Sequence, residues 1–201
     1  ELGTRITILQ RNKLLIPRED REVATLMTNL WKKKYNVITN ADVVKVERQG
    51  KYIAVTVKHG NSTKKITTEK LLVATGVKPN SDTLQVEKTG VKVNQNGFIS
   101  VNRFMETNVK NIYALGDIAG VYMFRHSANL EAEYVLNNVT AKKKAVDYYP
   151  MPHAIFTSPQ VAGVGLTEQE AQEQKKNYVV GKEYYQKTAK GVALAEKDGF
   201  V

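Results

Sequence analysis

The chain has 201 residues, 42% of them hydrophobic and 25% charged, and contains no cysteine. That length supplies one large domain or two small ones with an ordinary globular composition, and the missing thiols exclude disulfide and thiolate chemistry within these residues. Thirty Lys and Arg against twenty Asp and Glu leave a formal charge of +10.

A basic balance points to nucleic acid when the cations cluster with aromatics on one face. Here Lys32-Lys33-Lys34, Lys64-Lys65 and Lys142-Lys143-Lys144 fall at a helix end, a hairpin and a linker. They read as solvated surface charge, and no nucleic-acid partner is expected. No apolar run approaches the roughly 18–20 residues that span a bilayer. Glu1-Leu2-Gly3-Thr4-Arg5 has no apolar core behind a basic head, as a signal peptide would, so no membrane partner is expected and a cytoplasmic location is. The start without Met is that expected of a segment internal to a longer protein.

In chain order, Arg5 to Leu9 is short, apolar and β-branched, which predicts a buried strand. Pro17-Arg18-Glu19-Asp20 is a turn with acidic first-turn residues. Val23, Leu26, Met27, Leu30 and Trp31 then follow at helical spacing, and Lys32 to Lys34 complement that helix's C-terminal dipole. Asn36 to Ile38 is a second strand. Residues 42–75 predict a β-meander with turns at Gln49-Gly50 and Gly60-Asn61-Ser62, closed by a strand Leu71 to Ala74 that arrives at Thr75-Gly76. Gly97 to Val101 is a further strand. Residues 127–138 predict a helix with Ala128, Ala132, Val135 and Leu136 on one side. The Lys-rich, Pro-bounded run Ala141 to Pro152 is the best domain boundary. Strands are predicted beyond it at 153–156, 161–165 and 178–185, with a helix from Thr167 opened by a Thr167/Glu170 capping box.

The most informative element is Thr107 to Gly120. Its apolar run Ile112 to Leu115 is expected to be a buried strand that delivers Gly116 and Asp117 to its C-terminal end. Open α/β sheets bind ligands at that edge. A carboxylate there, with glycine leaving room beside it, suits a ligand's hydroxyl groups. The three histidines, His59, His126 and His153, have no metal-ligand spacing.

Three segments occur in fixed order: Leu72-Val73-Ala74-Thr75-Gly76-Val77-Lys78-Pro79-Asn80, Ile112 to Asp117, and Phe156-Thr157-Ser158-Pro159-Gln160-Val161-Ala162-Gly163-Val164-Gly165. Together they resemble the pyridine nucleotide–disulfide oxidoreductases, the family of dihydrolipoamide dehydrogenase, glutathione reductase, mercuric reductase and mycothione reductase. The resemblance implies an α/β fold with the later part of a Rossmann-like NAD(P)-binding domain at residues 1–76. It implies the second segment of an FAD-binding domain at 77–148 and the start of an α+β dimerisation domain at 149–201. It implies that Gly116 and Asp117 approach FAD at its ribityl hydroxyls, that Arg125 contacts the flavin ring through its backbone, and that His126 helps place the ring. The helix that follows would aim its positive end at the flavin pyrimidine.

On the nicotinamide side, the acid that holds an adenine ribose in this fold is replaced by Gln10, followed by Arg11, Asn12 and Lys13. A missing acid and arriving cations favour the 2′-phosphate of NADP over the free hydroxyl of NAD. The alternative is that Arg11 and Lys13 are ordinary loop cations. Val43 would lie at the adenine side and Gly76 near the dinucleotide, or the two are plain core and turn residues.

The sequence departs from the family in lacking the first glycine-rich loop, the redox cysteine pair and the C-terminal His-Glu pair. Glu1-Leu2-Gly3 looks like the end of the helix after the nucleotide-binding loop. The chain is expected to be the interior of a longer homodimeric enzyme. That enzyme would pass hydride from NAD(P)H to FAD and on to a disulfide, for a small-molecule disulfide, dihydrolipoamide or mercuric substrate. The rival reading is a non-catalytic binding or assembly module, and no catalytic residue is assigned within these residues.

Overall fold

A computed structural model describes residues 3–201; Glu1-Leu2, expected to end a preceding helix, lies outside them. In chain order the elements are β1 (Thr7–Leu9), α1 (Arg21–Lys34), β2 (Asn36–Ile38), β3 (Ala41–Gln49), β4 (Tyr52–His59) and β5 (Ser62–Thr68). They continue with α2 (Ser81–Leu84), α3 (Arg125–Thr140), β6 (Pro152–Ile155), β7 (Val161–Val164), α4 (Glu168–Glu173) and α5 (Ala189–Ala193). Two compact units result, one from the residues up to Val73 together with Ala154–Val201, the other from Ala74–His153.

In the first unit β1 and β2 run parallel, Ile8 opposite Val37, and α1 is the crossover that a parallel pair requires. Asp20 caps α1 by accepting the Glu22 amide at 2.9 Å, and Ala24 and Met27 carry its buried face. The antiparallel sheet β3-β4-β5 follows. Ala41, Val55 and Val57 form its core, with Leu9, Ile38, Ile53 and Ile66 packed around them. Alternation puts Val55 and Val57 on one face. The second oxygen of Asp20 accepts the Glu168 amide at 3.0 Å, and Gln169 accepts the Arg21 amide at 3.2 Å. The starts of α1 and α4 therefore share caps across 148 residues of chain. The Thr167/Glu170 capping box of α4 is present.

The second unit packs Val91, Ile99 and Ala114 with Val86, Val101, Val109, Ile112 and Ile118. Side-chain turns replace ladders there. Asn94 Oδ1 accepts the amides of Asn96 and Phe98, and Asn102 Oδ1 accepts those of Phe104 and Glu106. Asn offers such local bonds readily, in competition with sheet pairing.

Several expected strands are absent. Leu71 to Ala74 has no strand conformation, and Leu72 is 88% exposed. The segments 97–101 and 112–115 make only isolated bridges, Val93–Ile99 and Glu106–Tyr113. Residues 178–185 contribute only the bridge Tyr184–Phe200. A strand is defined by a partner that takes up its amides and carbonyls, and no neighbouring ladder among the described residues offers one. On α3 the buried side is Ser127 and Glu131, whereas Ala132 and Leu136, expected inward, are exposed.

Candidate functional site

Leu115 is extended, with φ −148°, and Gly116 turns the chain with φ +72° into a 3-10 turn, Gly116–Ile118. A side chain at Gly116 would favour neither that φ nor the space, since a Cβ would lie 3.4 Å from that of Ala128. Two residues after the turn, Gly120 has φ +69°, and a Cβ there would come within 2.6 Å of the Phe98 ring. The turn's shape is therefore fixed from both ends. Asp117 stands exposed on it, and its carboxylate has no hydrogen-bond or ion-pair partner among the described residues. Its backbone carbonyl accepts the Gly120 amide at 3.2 Å.

The 16-residue helix α3 begins at Arg125, and Phe124 is its N-cap. Ser127 Oγ accepts the Phe124 amide at 3.3 Å and donates toward the carbonyls of Tyr122 and Phe124. The amides of Arg125 and His126 belong to the first turn, where no intrahelical acceptor exists and the helix end carries partial positive charge. The His126 ring stacks on Phe124 at 5.3 Å, and His153 stacks on the same ring at 6.4 Å. His126 Nε2 donates to the Pro152 carbonyl at 2.8 Å. A carbonyl only accepts, so the proton sits on Nε2. An exposed carboxylate on a glycine turn and the first-turn amides of α3 thus give the second unit a polar surface. The carboxylate takes hydrogen bonds from hydroxyls, and the amides give them to an electron-rich acceptor.

Behind this surface lies a residue that sequence reasoning missed. Glu131 is fully buried, and its carboxylate accepts the Gly116 amide at 2.5 Å and the Tyr148 hydroxyl at 2.7 Å. Burial, and then the Glu131 carboxylate itself, push the Tyr148 phenol above its usual range. No local pattern singled it out: α3 also carries Glu133, and the partners that set Glu131 apart, Gly116 and Tyr148, are distant in sequence.

In the first unit the loop after β1 is tied to its neighbours. The Gln10 amide donates to Ile38 and its carbonyl accepts from Ala41, both at 3.0 Å. Gln10 Oε1 accepts the Asn12 amide at 3.1 Å. Arg11 and Lys13 project from this loop, exposed and without ion pairs among the described residues. Val43 lies at the β3 bulge, between the Val43 and Lys45 registers, and is 50% exposed. It is therefore not a core residue. The structure brings Gln10, Arg11, Lys13 and Val43 to the end of β1 and the start of β3. Gly76 belongs to the other unit, in an exposed segment with open space where a Cβ would stand. Among the described residues no helix is long and apolar enough to cross a membrane.

Comparison with known proteins puts this arrangement in context. Residues 1–132 match the family model for pyridine nucleotide-disulphide oxidoreductase, and residues 151–201 match the dimerisation domain of the same family. A dihydrolipoyl dehydrogenase of Thermus scotoductus is 34% identical over 100% of this chain and 44% of that enzyme. A mercuric reductase of Staphylococcus aureus is 36% identical over 86% of this chain and 32% of its own length. The HOCl-induced flavoprotein disulfide reductase RclA of Escherichia coli, in its Cu(II) complex, superposes with a TM-score of 0.86 at 25% identity. That match covers 98% of this chain and 45% of the reductase. The chain thus spans under half the length of these relatives. With the α/β architecture and both family models covering it almost end to end, the chain belongs to the pyridine nucleotide-disulphide oxidoreductase family.

Proposed function

We propose that these residues form the second half of an FAD site and part of an NAD(P) site in a longer flavoprotein disulfide oxidoreductase. The observation that carries this reading is the unpaired Asp117 carboxylate on its glycine turn, in the same unit as the open amides of α3. FAD, when bound, accepts hydride from a nicotinamide and passes reducing equivalents onward. The rest falls to this chain's own groups. Asp117 accepts hydrogen bonds from ribityl hydroxyls, Gly116 permits the close approach, and the first-turn amides of α3 favour negative charge that develops on the flavin. Arg125 offers its backbone amide, and His126, held by the Pro152 carbonyl, fixes the position of its ring. Gln10, Arg11 and Lys13 receive the adenine ribose end of the nicotinamide cofactor, the two cations favouring NADP over NAD, with Val43 beside the adenine.

The division into 1–76, 77–148 and 149–201 is the one that this assignment requires. The family's dimerisation domain supports a homodimer, and the substrates of the named relatives support dihydrolipoamide, a small-molecule disulfide or mercuric ion as the substrate. A cytoplasmic location accompanies this reading. The absence of cysteine favours a second reading for the 201 residues alone, that of a binding module without turnover.

The test is Asp117→Ala in the full-length protein, with FAD affinity read from visible absorbance after dialysis. Loss of hydrogen bonds to a charged group weakens binding by about 10- to 100-fold. Undiminished flavin retention would sink the assignment. Dithiol-dependent nicotinamide turnover by the intact protein separates the enzyme from the binding module.

A further inference from the structure

We propose that Glu131 is a positioning residue for the Gly116–Asp117 turn and, through it, for the flavin hydroxyls; the second step rests on the assignment of Asp117 to FAD. A carboxylate with 0% exposure is costly unless its oxygens are satisfied. Here each oxygen has one donor: the Gly116 N–H at 2.5 Å and the Tyr148 O–H at 2.7 Å. The amide that Glu131 grips is the last before Asp117, at the point where the extended arm becomes the 3-10 turn. Holding that peptide plane anchors the end of the turn from which the Asp117 side chain leaves the backbone.

Tyr148 holds the acid from the far side. Its ring lies 5.0 Å from that of Tyr122, and its hydroxyl is 3.5 Å from Met105 Sδ. The Met105 carbonyl accepts the Ala114 amide at 3.1 Å. The arm Ile112 to Leu115 is thus gripped at Ala114 and again at Gly116, and Glu131 and Tyr148 connect the two grips. Glu131 faces inward and contacts no ligand surface, so its effect on a ligand passes through Gly116. A leucine in its place would fill similar space while leaving the Gly116 N–H and the Tyr148 O–H without their acceptor.

The experiment compares Glu131→Leu, Glu131→Gln and Tyr148→Phe in the full-length protein, by peptide-resolved hydrogen–deuterium exchange and FAD affinity. In E131L, exchange at residues 112–120 should rise about tenfold or more while residues 132–140 keep wild-type protection, and FAD should bind about tenfold more weakly. E131Q, which retains an acceptor of the same shape, should recover most of both effects. Should E131L fail to fold, Y148F, which removes one of the two donors that hold Glu131, gives the same readings with smaller amplitude. Exchange that rises equally along α3 overturns positioning in favour of a purely structural role. A loosened turn with unchanged FAD affinity overturns the link to the ligand. If Asp117→Ala also retains FAD, that failure belongs to the flavin assignment, and the exchange pattern still decides the grip of Glu131 on the turn.

Discussion

The strand β4 and the run Leu71–Val73 are both short and rich in apolar residues, yet Val57 is 1% exposed and Leu72 88%. The difference lies in the partner. Each strand of the meander finds its neighbour within a few residues, across turns at Gly50 and Gly60, so its ladder is closed locally. Leu71–Val73 has no such neighbour among the described residues, and its apolar groups face outward. A partner is needed but is not enough: Val43, Val44 and Val46 of the paired strand β3 stay about half exposed, so a run becomes core only where it has both a hydrogen-bonded partner and a packed face.

The largest test of this contrast is Val57→Ala, which should cost about 2 kcal/mol in denaturant unfolding because a fully buried side chain is truncated. Next comes Thr167→Ala, which removes a cap that is also closed locally and should cost about 1 kcal/mol. That effect depends on pH. The Thr167 amide, and then its hydroxyl, hold the Glu170 carboxyl below its usual value of 4.5. The folded-state value being the lower one, the contribution is fully present above 4.5 and is lost as pH falls through the folded value. Thermal unfolding followed through this acid range should show a decline that Thr167→Ala flattens. The smallest effect is expected from Leu72→Ala, within about 0.5 kcal/mol as for other exposed sites. A loss at Leu72 as large as that at Val57 would break the comparison. A larger loss in the full-length protein than in these 201 residues would sharpen it, by showing that the rest of the protein supplies the missing partner.

The same distinction governs what was legible beforehand. Helix α1, the meander and the Thr167/Glu170 box follow from patterns that close within a few residues, and each is present. The Gly116-Asp117 turn was legible because glycine followed by an exposed acid is a local signature, although the arm before it forms bridges instead of a strand. Glu131 was not legible. Its partners lie 15 and 17 residues away, and the apolar positions Ala132 and Leu136 suggested a different inward face for α3. That choice failed because the buried side of α3 is organised by polar contacts to Gly116 and Tyr148, which no hydrophobic period records. Arg11, Lys13 and Val43 are exposed near the end of β1 and the start of β3, and exposure is shared by ligand cations and ordinary loop cations alike.

The shared caps at Asp20 have a consequence for the order in which the molecule is made. Asp20 and Glu168 are 148 positions apart, so α1 gains its outside donor only after α4 has been synthesised. During vectorial synthesis residues 74–153 emerge between the two parts of the first unit. Contacts of such long sequence separation are slow to form, so the caps shared by α1 and α4 close after the locally paired β3-β4-β5 sheet of the same unit.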